Sequence, residues 1–179
     1  VSPADDVEAR QVLRWAAAYH GPCYVRLVRD ATARFFGDDY RFELGKAVTV
    51  REGRDVTLIG SGLMVSRCLA AAETLAKEGI SADVVNISTL KPLDTDLIVS
   101  CARRTGAVVT AENHTVLGGL GGAVAEVLGD AAPVPFRRVG IQDRFGTSGP
   151  LDELFPEYGL TAKAVCEAAR AALGAKTRP

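Results

Sequence analysis

Residues 107–128, AVVTAENHTVLGGLGGAVAEVL, decide how the rest of the chain is read. Residues 107–110 are a short apolar run of the kind that forms a buried strand. Glu112, Asn113 and His114 follow at its carboxyl end, then Gly118, Gly119, Gly121 and Gly122, and an apolar helical pattern resumes over residues 123–128. The pattern is strand, turn, helix. Ligands of open α/β sheets meet the chain at the carboxyl ends of strands. Titratable side chains beside pliable glycine backbone therefore mark this stretch as the first place to look for a working edge.

Working outward, the same alternation recurs. Upstream, residues 46–50 and 55–60 read as two strands joined by a turn at Glu52-Gly53-Arg54. Gly60-Ser61-Gly62 leads into a helix with Val65, Cys68, Leu69, Ala72 and Ala76 at helical spacing, closed by Gly79. A strand at 82–87 and a turn at Lys91-Pro92-Leu93-Asp94 follow. Asp94 caps a helix carrying Leu97, Ile98, Cys101 and Ala102, with Arg103 and Arg104 in its last turn, where cations suit the dipole. Downstream come a strand at 135–140, a polar loop at 142–150 and a short helix at 151–155 ended by Pro156. Thr161 caps a last helix lined by Val165, Ala168, Ala169 and Ala172, which Gly174 ends before a frayed tail. Strand alternating with helix predicts an α/β fold: an open, mostly parallel sheet with helices on both faces.

The first residues belong to a different rhythm. Ser2-Pro3-Ala4-Asp5 reads as a helix start, with Ser2 as cap, and the helix runs to about His20 with Ala9, Val12, Leu13 and Ala16 as its apolar stripe. Residues 23–28, CYVRLV, read as a strand holding Arg26, with Arg29 just past it. Phe35, Phe36, Tyr40 and Phe42 then sit among small and acidic residues, as in an ordered linker that packs its rings on a neighbouring surface. A domain boundary falls here, dividing the chain into 1–38 and 39–179.

Composition bounds the function. A hydrophobic content of 47% is ample for a core, and a formal charge of -1 provides no basic field, which argues against nucleic acid. No apolar run approaches the ~20 residues of a membrane span, and no signal peptide is evident. Cys23, Cys68, Cys101 and Cys166 form no CxxC pair and each lies in an apolar pattern, so they read as buried free thiols of a cytoplasmic protein. The chain begins at Val1, not Met, and residues before it are expected to have been removed.

Each motif has a plainer reading beside the chemical one. Gly60-Ser61-Gly62 sits where a dinucleotide loop would, but Val65 stands where a third glycine is required; a tight strand-to-helix turn explains it as well. Glu112 and His114 could serve as general acid and base, yet no nucleophile accompanies them and two ligands do not make a metal site; a structural or interface role is the plainer one. Glycines 118–122 could admit an anion at a helix start or, more simply, the close approach of a partner. Arg26 and Arg29 suit phosphate or an ordinary surface ion pair.

Taken together, SPADDVEARQVLRWA, GPCYVRLVRD, VTLIGSGLMVS, VVNISTLKPLD, the 107–128 stretch and DRFGTSGPLDELFPEYGLT resemble, over nearly the whole chain, the C-terminal part of the thiamine-diphosphate transketolase family. The likeness is greatest to the separate C-terminal subunit of split transketolases. Deoxyxylulose-phosphate synthase and the beta subunits of 2-oxo-acid dehydrogenases share the domain, and a fragment of either is the alternative parent. The resemblance implies a transferase of two-carbon ketol units between sugar phosphates, using thiamine diphosphate and Mg2+ held by domains other than this one. It implies that 1–38 is the last helix and strand of the pyrimidine-binding domain and that the chain is a fragment, inactive alone. Its implied partners are an N-terminal transketolase subunit or domain and a second copy, as a homodimer through the C-terminal domain. Among site residues, Arg29 matches an arginine implicated in substrate-phosphate binding. Ser88 stands where the synthases have arginine and many split transketolases histidine, and Glu112 and His114 match an acid–histidine pair at a strand end. Substrate contacts are accordingly expected at Arg29, Ser88 and His114. An assembly or nucleotide-binding module without activity is the remaining alternative.

Overall fold

A computed structural model of the chain describes residues 1–176. Five strands form one open sheet in the order β1-β3-β2-β4-β5. They are β1 (Val48–Arg51), β2 (Val56–Gly60), β3 (Ala82–Asn86), β4 (Val108–Thr115) and β5 (Phe136–Ile141). The β2–β3, β2–β4 and β4–β5 pairs are parallel, and β1 alone runs antiparallel, on the edge beside β3. The expected α/β class and mostly parallel sheet are therefore present. The strands at 46–50 and 55–60 do not pair with each other, because β3 inserts between them.

Side chains of adjacent strand residues point to opposite faces, and here both faces are apolar. Leu58, Val84 and Val109 enter one core, with Met64, Leu75, Val165 and Ala169. Ile59, Val85 and Val108 enter the other, with Ile98, Leu120, Val124 and Leu128. Burial on both faces is what a parallel sheet covered by crossover helices requires. Helices α2 (Met64–Lys77), α5 (Leu151–Glu157) and α6 (Ala162–Gly174) carry the first core, and α3 (Thr95–Thr105) and α4 (Leu120–Ala131) the second. Asp94 caps α3 through the Leu97 N–H at 3.1 Å, and Thr161 caps α6 through the Ala164 N–H at 3.1 Å, as expected. Pro156 lies inside α5 rather than ending it, one residue before the helix's last. The tail expected after Gly174 extends beyond the described residues.

The N-terminal segment departs most from expectation. Helix α1 (Asp6–Ala18) starts at Asp5, whose Oδ1 accepts the Glu8 N–H at 2.9 Å, and Ser2 is not its cap. Its buried face is Val7, Glu8 and Val12, while Leu13 is 47% exposed. Residues 23–28 form no strand, because a strand requires paired neighbours and among the described residues Val1 alone bonds to their backbone. The Val1 amine donates to the Tyr24 carbonyl at 2.7 Å and the Arg26 N–H donates to the Val1 carbonyl at 2.9 Å, the bonding of one parallel step with α1 as its crossover. Cys23 is exposed there, contrary to the reading of four buried thiols; Cys68, Cys101 and Cys166 are buried and all four are free. The aromatic linker does pack as expected, with Phe36 stacked on Tyr40 and Trp15 of α1 against Phe42.

Candidate functional site

The N-terminal segment lies across the carboxyl ends of β2, β3 and β4. Ser2 donates its N–H to the Ser88 carbonyl at 2.7 Å, and Arg26 donates to the Asn113 carbonyl at 2.6 Å. Ser2 also sits over Gly62, where a Cβ would lie 2.8 Å from its Oγ. The chain's own segment thus occupies the Gly60-Ser61-Gly62 turn, leaving no dinucleotide phosphate space there.

Glu112, Asn113 and His114 lie within β4, which runs on to Thr115 rather than stopping near Thr110. Glu112 is 3% exposed. Its two oxygens accept the N–H groups of Leu120 at 2.7 Å and Gly121 at 2.8 Å. The cap position, Gly119, has no side chain with which to do this. The anion at the start of α4 is therefore Glu112 itself, meeting the orphan donors and the positive end of the helix dipole. A Cβ at Gly119 would overlap Glu112 Oε2, so the cap demands glycine.

His114 is exposed beside this cap, its Nδ1 3.1 Å from the Thr115 carbonyl. A carbonyl only accepts, so Nδ1 is the donor in this contact. Arg26, Tyr24, Ser61, Glu112 and Gly119 line a cleft of about 190 Å³ with it. Arg29 and Ser88 lie outside this cleft. Arg29 is exposed on the segment; Ser88 is buried. The three expected substrate residues are thus not brought together within this chain. Among the described residues no group of three or more His, Cys, Asp or Glu side chains converges on a metal position.

A second polar centre went unread in the sequence. Glu8 has no solvent exposure. It accepts from the Ala4 N–H at 2.7 Å, the Tyr40 hydroxyl at 2.5 Å and the Asn86 amide at 2.9 and 3.1 Å. Burial pushes its carboxyl above the usual range, and the donors of Tyr40, Ala4, Ser88 and Asn86 oppose that rise. The capping-box spacing Asp5-x-x-Glu8 was the available signal, but the glutamate reaches back to Ala4, one residue before the cap, and joins that end to β3 and the linker.

An open, mostly parallel sheet covered on both faces, with an acid-capped glycine helix at the strand ends, defines a doubly wound α/β domain. The chain belongs to the transketolase C-terminal domain family, which it matches over residues 45–165. It is 48% identical to a 6-deoxy-6-sulfo-D-fructose transketolase subunit of Clostridium sp. (strain MSTE9), over 93% of this chain and 52% of that protein. It is 39% identical to 1-deoxy-D-xylulose-5-phosphate synthase 1 of Geobacter sulfurreducens, over 100% of this chain and 29% of that one. A solved structure described as a split gene transketolase, inactive beta4 tetramer, superposes with a TM-score of 0.94 at 47% identity, covering 98% of this chain and 57% of that one. The chain thus spans about half the length of the transketolase subunits it matches.

Proposed function

We propose that this chain serves as the C-terminal portion of a thiamine-diphosphate-dependent transketolase moving two-carbon ketol units between sugar phosphates. The observation that carries this is the 48% identity to a transketolase subunit along 93% of the chain, which reaches well beyond the family domain at 45–165. The lower identity to the synthase, 39%, favours a transketolase parent. Residues 1–38 act as the end of the pyrimidine-binding domain. Their exposed apolar side chains, Tyr24 at 78% and Leu27 at 49%, support a larger unit there.

The strand-end cleft does not fit the cofactor: at about 190 Å³ it falls below the ~300–1,000 Å³ of usual ligand sites, and its acid, Glu112, is taken up by the Leu120 and Gly121 N–H groups. Thiamine diphosphate and Mg2+ are assigned to the N-terminal subunit or domain, and no step here runs through them. Arg29 supplies a fork for the substrate phosphate, with His114 at the cleft and Ser88 buried beneath Ser2 of the overlying segment. A second copy is the other partner, and the tetramer of the superposable protein supports self-association. No helix among the described residues is long and apolar enough to cross a membrane, and the free thiols suit the cytoplasm.

The test mixes the full-length protein with its N-terminal subunit, thiamine diphosphate, Mg2+, a ketose-phosphate donor and an aldose-phosphate acceptor. Ketol transfer by the mixture and none by this chain alone is expected. An inactive mixture, or turnover by this chain alone, overturns the reading. Within the active complex, Arg29→Ala should raise the KM of phosphorylated acceptors by the equivalent of about 1.5–3 kcal/mol and leave unphosphorylated ones nearly unchanged. An equal effect on both rejects the phosphate role.

A further inference from the structure

We propose that Glu8 is a positioning residue, the joint through which the sheet fixes the arm that carries Arg26 and Arg29. This rests on the transketolase reading for its kinetic consequence but not for its structural one. Glu8 forms no ion pair among the described residues, although it is a carboxylate with no solvent exposure. Nature retains such a group only where its hydrogen bonds are complete. Here they join three separate parts: the start of α1 through Ala4, the linker through Tyr40, and the carboxyl end of β3 through Asn86. The Ala4 N–H, the Tyr40 hydroxyl and the Asn86 NH2 group all donate to the carboxylate oxygens, so both oxygens are partnered.

Asp5, three residues earlier in the same turn, completes the joint. Its Oδ2 accepts the N–H groups of Phe35 at 3.1 Å and Phe36 at 2.9 Å. The arm is therefore tied at its far end to the first turn of α1, and at its near end by Arg26 to Val1 and Asn113. Arg29 lies between the two ties and makes no side-chain hydrogen bond or ion pair of its own among the described residues. Its position is inherited. Glu8 and Asn86 supply the side-chain contact that holds that first turn to the sheet. A glutamate aimed at no substrate thereby decides where an arginine points.

The test compares wild type with Glu8→Gln and Glu8→Ala in the full-length protein assembled with its N-terminal subunit. Amide hydrogen exchange over residues 23–36 should quicken in Glu8→Ala, and less in Glu8→Gln, while β4 and β5 exchange as before. The KM of a phosphorylated acceptor should rise about tenfold in Glu8→Ala and partly recover in Glu8→Gln. The kcat and the KM of an unphosphorylated acceptor should stay within about twofold. If Glu8→Ala fails to fold, Tyr40→Phe, which removes one donor, takes its place beside Glu8→Gln. Unchanged exchange in the arm, or equal increases in both KM values, overturns the proposal. Wild-type complex without ketol transfer ends the transketolase reading instead, and the exchange result alone then decides whether Glu8 positions the arm.

Discussion

Glu112 and Glu8 show how far a carboxylate's role depends on what the fold brings to it. In sequence Glu112 sits two residues from a histidine and invites an acid–base reading; in the fold both its oxygens are spent on the N–H groups of Leu120 and Gly121. Glu112→Ala should therefore destabilise the domain by about 1–3 kcal/mol, because two buried donors lose their acceptor. Glu112→Gln, which keeps one acceptor, should cost less, and denaturant midpoints would rank the two. Glu8 gives a pH prediction. Its native carboxyl lies above the ordinary value because burial penalises the anion. The native state then holds its proton more tightly than the unfolded chain, so this group's contribution to stability falls as pH rises from the unfolded value to the raised native one. Thermal melts across that window should show wild type losing stability relative to Glu8→Gln as pH rises. A gap that narrows in the opposite direction, or stays flat, would mean the carboxylate is solvated in solution. Glu112's role was not legible beforehand and Glu8's only as a capping-box spacing, since its bonds to Tyr40 and Asn86 join residues that only the finished fold makes neighbours.

Elements were read more securely than their ends. The caps at Asp94 and Thr161 were visible because a cap is a local event, decided within four residues. Asp94 does more than sequence suggested: besides the Leu97 N–H it accepts the Ala47 N–H at 2.9 Å, tying the lead-in to β1 onto α3. Asp94→Ala should accordingly cost about 1–2 kcal/mol, more than Thr161→Ala, which loses one capping bond. Equal shifts in the chemical midpoint would show the Ala47 contact to be dispensable. Two kinds of feature escaped. The length of β4 was underread because Glu112 and Asn113 interrupt the apolar run, yet the strand continues through them, past an irregularity in its pairing with β5, to Thr115 opposite Ile141. Residues 23–28 carry strand composition without the neighbours that would make them one, so composition alone overstated them.

At the scale of the molecule, the question is what covers α4. Its charged residues are Glu126 and Asp130 alone, and a helix apolar on nearly every side is buried on more than one. The inner face, Leu120, Val124 and Leu128, is taken by the sheet. The outer face keeps Gly122, Ala123 and Val127 half-buried, and beside it a groove of about 910 Å³ runs between α3 and α4, lined by Val99, Arg103, Val127 and Asp130. The glycine loop does not lie at a sheet edge, because β5 stands outside β4. Gly121 also faces inward, where a Cβ would meet Arg138 at 2.7 Å, so it cannot mark an interface. If the proposed self-association uses this domain, its natural seat is the outer face of α4 and the groove, meeting their own copies across a two-fold axis and burying more than ~1,000 Å². Val127→Glu in the full-length protein should then weaken the dimer about tenfold or more by placing like charges against each other across the axis. Its circular dichroism should stay unchanged, because the side chain is only half-buried. Light scattering over a dilution series reads the result. Assembly indifferent to that charge would move the interface to another face, and a wild type monomeric at micromolar concentration would remove the dimer altogether.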